Sequence, residues 1–395
     1  MGDEHGADGT ATSRPAAARN GTTARPPAMS DVAARAGVSH QTVSRVLNDH
    51  PSVRPATRDR VLAAIAELGY RRNSAARALV TRRTGTVGVV TPATALYGPT
   101  STMVGVEEAA RVAGWFVSVA TMRQFDGDAM HRAFEHFLGQ GVDGVAIIAP
   151  TVQAVDVLAA LDSPVPVVVV SSAADVPSVP HLHAVGVDQQ QGARLATAHL
   201  LGEGRTGVLH VAGPQDWFDA QDRLVGWRAE CAAAGVPADD PVVVGWAASD
   251  GYAVGRRLVR EGLPDAVFAA NDQLALGLLH AFWEAGVRVP EDVALVGFDD
   301  EVGSAHYVPP LTTVRQDFTA LGVLAIDTLD AAMAGADPGH RLIPAELVVR
   351  ASSVAPGPGP STFRRTDQAP GAGSQRYSAS VSGGTATRSP SPLSM

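Results

Sequence analysis

Lysine is absent from all 395 residues, so every fixed cation is an arginine, which reflects base composition more than mechanism. Cysteine occurs once, at Cys231. An internal disulfide is therefore excluded, in keeping with a reducing cytoplasm, and Cys231 reads as a small buried hydrophobe. No apolar run approaches the ~20 residues of a membrane helix, and the N-terminus has no apolar signal core, so neither insertion nor export is expected. The 12 histidines show no HExxH spacing, and no Cys/His cluster, P-loop or GxSxG occurs. Neither an enzyme nor a cofactor is expected.

A chain of this length accommodates two or three domains with sizeable cores. At 45% hydrophobic and 18% charged residues, it reads as largely globular. The net charge of −9 is unevenly spread. Residues 29–84 hold ten arginines against Asp31, Asp49, Asp59 and Glu67, a net +6, and the tail from 357 carries +3. Residues 1–28 balance at zero, which leaves −18 on the body. A basic end on an acidic body attracts phosphate at one place and repels it elsewhere.

The stretch Ser30 to Asn48, SDVAARAGVSHQTVSRVLN, reads as two short helices broken at Gly37. Val32, Ala33, Ala36, Val38, Val43, Val46 and Leu47 fall on one face of each helix. Ser30 and Ser39 are placed to cap the two N-termini, and Gly37 tolerates a positive φ in the turn. Following Ser39, the second helix leaves His40, Gln41, Thr42, Ser44, Arg45 and Asn48 facing outward. Gln pairs bidentately with adenine and Arg with guanine, while hydroxyl and amide groups reach phosphates. Taken alone, this could equally be a helical corner with a solvated face. Val53 to Leu68 then reads as a third amphipathic helix, with Val61, Leu62, Ile65 and Leu68 inward, Arg54, Arg58 and Arg60 outward, and Gly69 as its stop. In YRRNSAARALVTRR, Asn73 can cap a further helix running to Val80.

Asp31 to Val80 closely resembles the DNA-binding headpiece of the lactose-repressor/galactose-repressor family, through DVA, AGVS, TVSRVLN, the TR of the third helix and the Y..N..A..L hinge. The resemblance implies that the hinge helix, with Asn73 at its start, docks in the minor groove of double-stranded operator DNA. Leu79 would be wedged between base pairs at the centre of a palindrome with Ala76 as its small neighbour, an apolar wedge of the kind that kinks DNA.

From Thr86 the pattern changes. TVGVVTP, FVSVATM, VDGVAIIAP and VPVVVVSS read as buried strands separated by helices over Thr102 to Ala113, Ala129 to Gln140 and Val152 to Leu161. A second set follows: strands GVLHVAG, VVVGW, AVFAAN and VALVGFD, with helices near Gly192 to Leu201, Leu224 to Ala234, Ser249 to Glu261 and Gln273 to Ala285. Two parallel α/β lobes in tandem place a ligand in the cleft between them. The family resemblance continues to about Ser353 and implies a periplasmic-binding-protein-like effector domain, with crossings between lobes near Val187, Gln316 to Phe318 and Leu342 to Pro344.

Several strand-end positions are polar: Asn271 and Asp272, Asp299 and Asp300, and Trp246, with Arg223 opening the helix after GPQDWFDAQD. Carboxylate, amide and guanidinium groups hold hydroxyl pairs, and an aromatic face takes the C–H side of a sugar ring. Asp299 or Asn271 alone would more simply be a strand-end cap, and Trp217 and Phe218 either line the cleft or pack its rim. By resemblance, Arg223, Trp246, Asn271 and Asp299 match galactoside-binding positions, as do Leu96, Gly98 and Pro99 of LYGP, with Gln316 and Phe318 less directly. Ser171 and Val187 depart from the Asp and Phe of galactoside-binding members.

The expected organisation is a small all-α helix-turn-helix headpiece plus hinge helix, followed by the two-lobed α/β effector domain. Residues 1–28 read as a disordered extension attributed to an upstream start codon, since Met29 lies where members of the family usually begin; 29–72 form the DNA-binding domain; 73–85 the hinge and linker; 86–356 the sugar-binding and dimerisation domain; and 357–395 a disordered tail. That tail has no heptads, so a homodimer is expected, with Leu276 and Tyr307 at its interface by resemblance. The functional reading is a cytoplasmic transcriptional regulator, a repressor released from a palindromic operator by a sugar or glycoside, with β-galactosides among the candidates. The rivals are a family regulator answering to a purine, phosphosugar or partner protein, an activator, and, more remotely, a sugar carrier.

Overall fold

Gly37 adopts the left-handed backbone, φ 64°, and closes the first helix of the computed structural model, α1 (Met29–Ala36). The structure describes residues 25, 27–71, 83–124, 126–148, 151–159, 163–172 and 182–354. The expected hinge helix with Asn73, Ala76 and Leu79 lies outside the described residues, as do residues 1–24 and 355–395. After Gly37 come α2 (His40–Leu47) and α3 (Pro55–Leu68). Ser39 caps α2, its Oγ accepting the Thr42 N–H at 3.2 Å. The expected cap at Ser30 is not formed: the N-cap is Ala28, two residues earlier, and Asp31 accepts the Ala28 N–H at 2.7 Å.

Val32, Val43 and Val61 are fully buried where the three helices meet, with Ala33, Ala36, Val46, Ala64 and Tyr70 around them. Each such valine contributes about 1.5–3 kcal/mol. Leu62 is 50% exposed, contrary to its expected inward position, because the inward stripe of α3 runs through Val61, Ala64, Ile65 and Leu68 at i, i+3, i+4 and i+7.

The first lobe begins with β1 (Thr86–Pro92), α4 (Tyr97–Val112), β2 (Phe116–Met122), α5 (Gly127–Gln140), β3 (Gly144–Ile148), α6 (Val152–Ala159), β4 (Val167–Val170) and β5 (Leu182–Val187). Past Asp188 the chain builds the second lobe from α7 (Gln189–Gly202), β6 (Val208–Ala212), α8 (Phe218–Ala234), β7 (Val242–Val243), α9 (Ala248–Glu261), β8 (Ala266–Ala269), α10 (Asp272–Glu284), β9 (Ala294–Asp299) and β10 (Thr312–Arg315). It then returns through α11 (Phe318–Met333) and β11 (His340–Ile343) to the first lobe and ends with β12 (Glu346–Val348) in the second.

The two sheets run β11-β5-β4-β3-β1-β2 and β12-β10-β9-β8-β6-β7. Among the described residues, the pairings are parallel except β12 against β10. Helices cover both faces, which is why β3, β4, β8 and β9 are buried along their whole length. Strands β5 and β10, the small edge strands β11 and β12, and helix α11 are additions to the sequence reading. In the first lobe α4 and α11 cross backbone to backbone: a Cβ on Gly105 would stand 2.2 Å from the Phe318 carbonyl oxygen. The helix expected from Thr102 begins earlier, at Tyr97, so part of the LYGP motif forms its first turn at the cleft.

Candidate functional site

Between the two lobes lies a cleft of about 620 Å³. Of the effector residues expected from sequence, Leu96, Gly98, Pro99, Arg223, Trp246, Asn271, Asp299 and Gln316 line it. Ser171 and Phe318 line an adjoining cavity of about 50 Å³ that shares Gly98, Pro99 and Gln316, and Val187 lies there too. The topology thus brings all ten together from strand ends and helices of both lobes and from the crossing at Gln316 to Phe318. Trp217 lines the cleft, while Phe218, the first residue of α8, is not among its lining.

Arg223 organises the floor. It sits in the second turn of α8, since the helix opens at Phe218 and not at the arginine. Its guanidinium is 3.8 Å above the Phe298 ring centroid, a placement favoured by the ring quadrupole. Nε donates to Gln189 Oε1 at 2.9 Å, Nη1 donates to the Ala270 carbonyl, and Nη2 lies 3.6 Å from Asp299 and 3.9 Å from Asp219. Gln189 in turn donates to Gln316 Oε1 at 2.7 Å, and Gln316 donates to Asp299 Oδ1 at 2.6 Å, which closes a buried ring of polar contacts. A charge kept from water needs this degree of pairing.

Burial pushes Asp299 up to about 7, against the opposing pull of Arg223. Asp300 behaves differently. Burial would raise it, but hydrogen bonds from Arg350 at 2.6 Å and Arg315 at 2.7 Å outweigh that and hold it below the usual carboxylate range. Asp299 and Asp300 both have positive φ, 110° and 51°, conformations uncommon for residues other than glycine. Asp272 points away from the ligand space. It is fully buried, accepts from Thr313 Oγ1 at 2.6 Å and from the Glu301 N–H at 2.8 Å, and burial together with nearby Asp299 holds its carboxyl well above the usual range.

Asn271 combines two roles that sequence set against each other. Its Oδ1 caps α10 by accepting the Leu274 N–H at 2.8 Å, while its Nδ2 donates to the Trp246 carbonyl at 3.1 Å and the residue lines the cleft. Trp246 packs edge-on to Trp217, ring centroids 5.6 Å apart. Tyr97, Asp219, Gln273 and Glu301 complete the walls and were missed from sequence. Their one available signal was position: Tyr97 lies inside LYGP, and Glu301 directly follows the strand-end acids.

On the headpiece, His40, Gln41 and Arg45 are exposed on α2 and Asn48 is exposed just past its end, whereas Thr42 and Ser44 are half-buried. Ser39 and Thr42 share a hydroxyl contact of 2.9 Å that orders the first turn. Among the described residues no group of His, Cys, Asp and Glu is placed to hold a metal ion, and no helix is long and apolar enough to cross a membrane.

Residues 28–73 match the profile described as bacterial regulatory proteins, lacI family, and residues 197–353 that of a periplasmic binding protein-like domain. The chain is 34% identical over 341 residues to the lactose operon repressor of Escherichia coli strain K12, covering 84% of this chain and 92% of that one. It is 38% identical over 313 residues to the HTH-type transcriptional regulator CelR of Thermobifida fusca, covering 75% and 89%. The lac repressor dimer bound to operator and the anti-inducer ONPF has a TM-score of 0.73 at 34% identity, over 84% of this chain and 100% of that one. A complex of CelR with cellobiose has a TM-score of 0.60 at 34% identity, over 82% and 99%.

Proposed function

Because this chain belongs to the lacI family of bacterial regulatory proteins, DNA-binding regulators of transcription, we propose that it is a repressor released from a near-palindromic operator when a sugar or glycoside fills its cleft. The observation that carries the effector half is the grouping of Arg223, Asp299, Asn271 and Trp246 around one space between the lobes. Guanidinium, carboxylate and amide groups hold hydroxyls there while the indole faces a ring.

In this reading Gln41 and Arg45 of α2 contact base edges in the major groove with His40, while Ser39, Thr42, Ser44 and Asn48 position the helix on the backbone. Two copies are required for a two-fold operator. Leu276, 37% exposed on α10, offers an apolar side chain to a homodimer contact, as do the exposed Trp283, Val302 and Val308, while Tyr307 is half-buried against the core of the second lobe. Asn73, Ala76 and Leu79 would engage the minor groove.

Helix α11 supports a route between the two sites. Phe318 at its start lines the small cavity and meets the Tyr97 ring edge-on at 5.7 Å. At its end the Met333 carbonyl accepts from Arg83 Nη2 at 3.2 Å, close after the hinge segment. Ligand closure that displaces Phe318 would shift the carbonyl that Arg83 holds, and so carry a change in the cleft toward the headpiece.

Fluorescence anisotropy with a palindromic probe from the DNA beside the gene, titrated with mono- and disaccharides, tests the reading. Release by a saccharide is the expected result. Tight binding that no saccharide disturbs, but a purine or phosphosugar does, would replace the effector class and keep the regulator.

A further inference from the structure

The cleft is lined by three carboxylates, Asp219, Asp299 and Glu301, and, among the described residues, by one cation, Arg223. That cation is already engaged. Its N–H groups go to Gln189 and Ala270, and its charge is divided between Asp299 and Asp219. The remaining acids are held in place by neutral donors: Ser172 Oγ donates to Asp219 at 2.9 Å, and Gln273 Nε2 donates to Glu301 at 2.5 Å. Neither contact offsets a negative charge.

Asp219 lies in the first turn of α8, and Glu301 lies just past the end of β9, so the two acids enter the cleft from different elements. Each also acts electrostatically on Asp299, which places both within range of whatever occupies the space beside it. An anionic group brought there meets three carboxylates that share a single cation, in surroundings that screen charge less than water does. A hydroxyl or an ammonium meets acceptors. The aromatic walls, Tyr97, Trp217 and Trp246, accept ring faces and tolerate a cation. The volume of the cleft exceeds what one pyranose ring fills.

We propose that Asp219 and Glu301 determine the charge selectivity of this cleft: its ligand is a neutral or amino-bearing disaccharide, and phosphorylated or uronic-acid sugars are rejected. The inference rests on the effector reading above and narrows it. Glu301 makes none of the hydrogen bonds of the Arg223 network, and Asp219 meets that network only through its 3.9 Å ion pair with Arg223, so both act chiefly through their charge at the ligand.

The test is isothermal titration calorimetry on the full chain with matched probes: lactose and lactose 6′-phosphate, cellobiose and cellobiose 6′-phosphate, cellobiouronic acid, and the β-linked glucosamine disaccharide. At least one neutral or amino disaccharide is expected to bind, with its anionic counterpart at least tenfold weaker. In Asp219→Asn/Glu301→Gln that ratio should fall by a factor of ten or more. If the double variant does not fold, as judged by circular dichroism and operator binding, Glu301→Gln alone carries the same measurement with a smaller expected change. An anionic probe that binds the unaltered chain as tightly as its neutral parent overturns the proposal and leaves the effector reading standing. A ratio unmoved in the folded variants overturns the roles of Asp219 and Glu301. If no saccharide of any charge binds while operator affinity is intact, the effector reading itself fails, and the charge rule fails with it.

Discussion

Gln189 donates its side-chain N–H to the Gln316 side-chain oxygen at 2.7 Å, and the bond ties together two of the segments that cross between the lobes. Gln189 opens α7 just after the first crossing, and Gln316 stands just before α11, where the chain returns. Both are buried, and both touch the Arg223–Asp299 pair. The relative position of the lobes is thus coupled to the polar floor of the cleft. Gln316→Ala leaves a buried Gln189 donor and one Asp299 oxygen short of a partner, at a cost of about 1–3 kcal/mol. Urea denaturation should show that loss, and an unchanged midpoint would mean that the ring of contacts is not formed in solution.

Arg223→Ala removes the centre of that ring. Effector response is expected to disappear while operator affinity is kept, because Arg223 lies in the second lobe, on α8, and not on the headpiece. Leaving Asp299 and Asp219 without their cation also destabilises the fold, by about 3–5 kcal/mol on the scale of broken buried pairs. Operator release curves and thermal melts measure the two effects separately. A normal induction curve would take Arg223 out of the binding site.

His210 sets an acid limb on stability. It is fully buried, stacked on Phe268 with ring centroids 4.6 Å apart, and its Nδ1 donates to the Phe268 carbonyl at 3.0 Å. The remaining lone pair is on Nε2, which has no hydrogen-bond partner among the described residues. Burial lowers the group to about 4, against the Phe268 hydrogen bond that would raise it. The unfolded chain, with its histidine near 6.5, takes up a proton first as pH falls. Stability from this residue is therefore complete above pH 6.5 and is lost between about 6.5 and 4, by about 3 kcal/mol. Asp299 and Asp272, held above the usual carboxylate range, act in the opposite sense, so the informative quantity is the difference between the unaltered chain and His210→Phe. That difference should change steadily from pH 6.5 to 4 in denaturant titrations. A flat difference would mean that His210 is already charged or accessible in the folded state.

On the headpiece, Arg45→Ala is expected to weaken operator binding by about 1–3 kcal/mol and to relax preference at one base position, as loss of a bidentate contact does. Leu79→Ala should weaken operator binding far more than non-specific binding, because a wedge counts only where the DNA is kinked. Anisotropy against operator and scrambled duplexes distinguishes the cases. Equal losses on both would refute the wedge role and reduce Arg45 to a phosphate contact.

Much of the architecture was legible because its signals are local. The Gly37 turn, the Ser39 cap and the valines of α1 and α2 act within a few residues of one another. Buried parallel strands announce themselves as unbroken apolar runs, as β4 does with four valines. The misreadings were long-range. Leu62 has the chemistry of a core residue, but the stripe of α3 packed into the headpiece core runs through Val61, Ala64, Ile65 and Leu68 and leaves it exposed. Strands β11 and β12 are short and mostly exposed, and they exist because an edge of each sheet was available to pair with.

By itself the sequence determined a helix-turn-helix followed by two parallel α/β lobes, because apolar period, capping and turn residues are properties of neighbours along the chain. Only the tertiary structure decided which polar residues share the cleft and what charge they present. Asp299 and Asp300 are adjacent and chemically alike, yet one pairs with Arg223 at the ligand space and the other with Arg315 and Arg350 outside it. Asp219 and Glu301, distant in sequence, line the same space. Those outcomes depend on where separate segments cross between the lobes, and through-space electrostatics follows that geometry and not the order of residues.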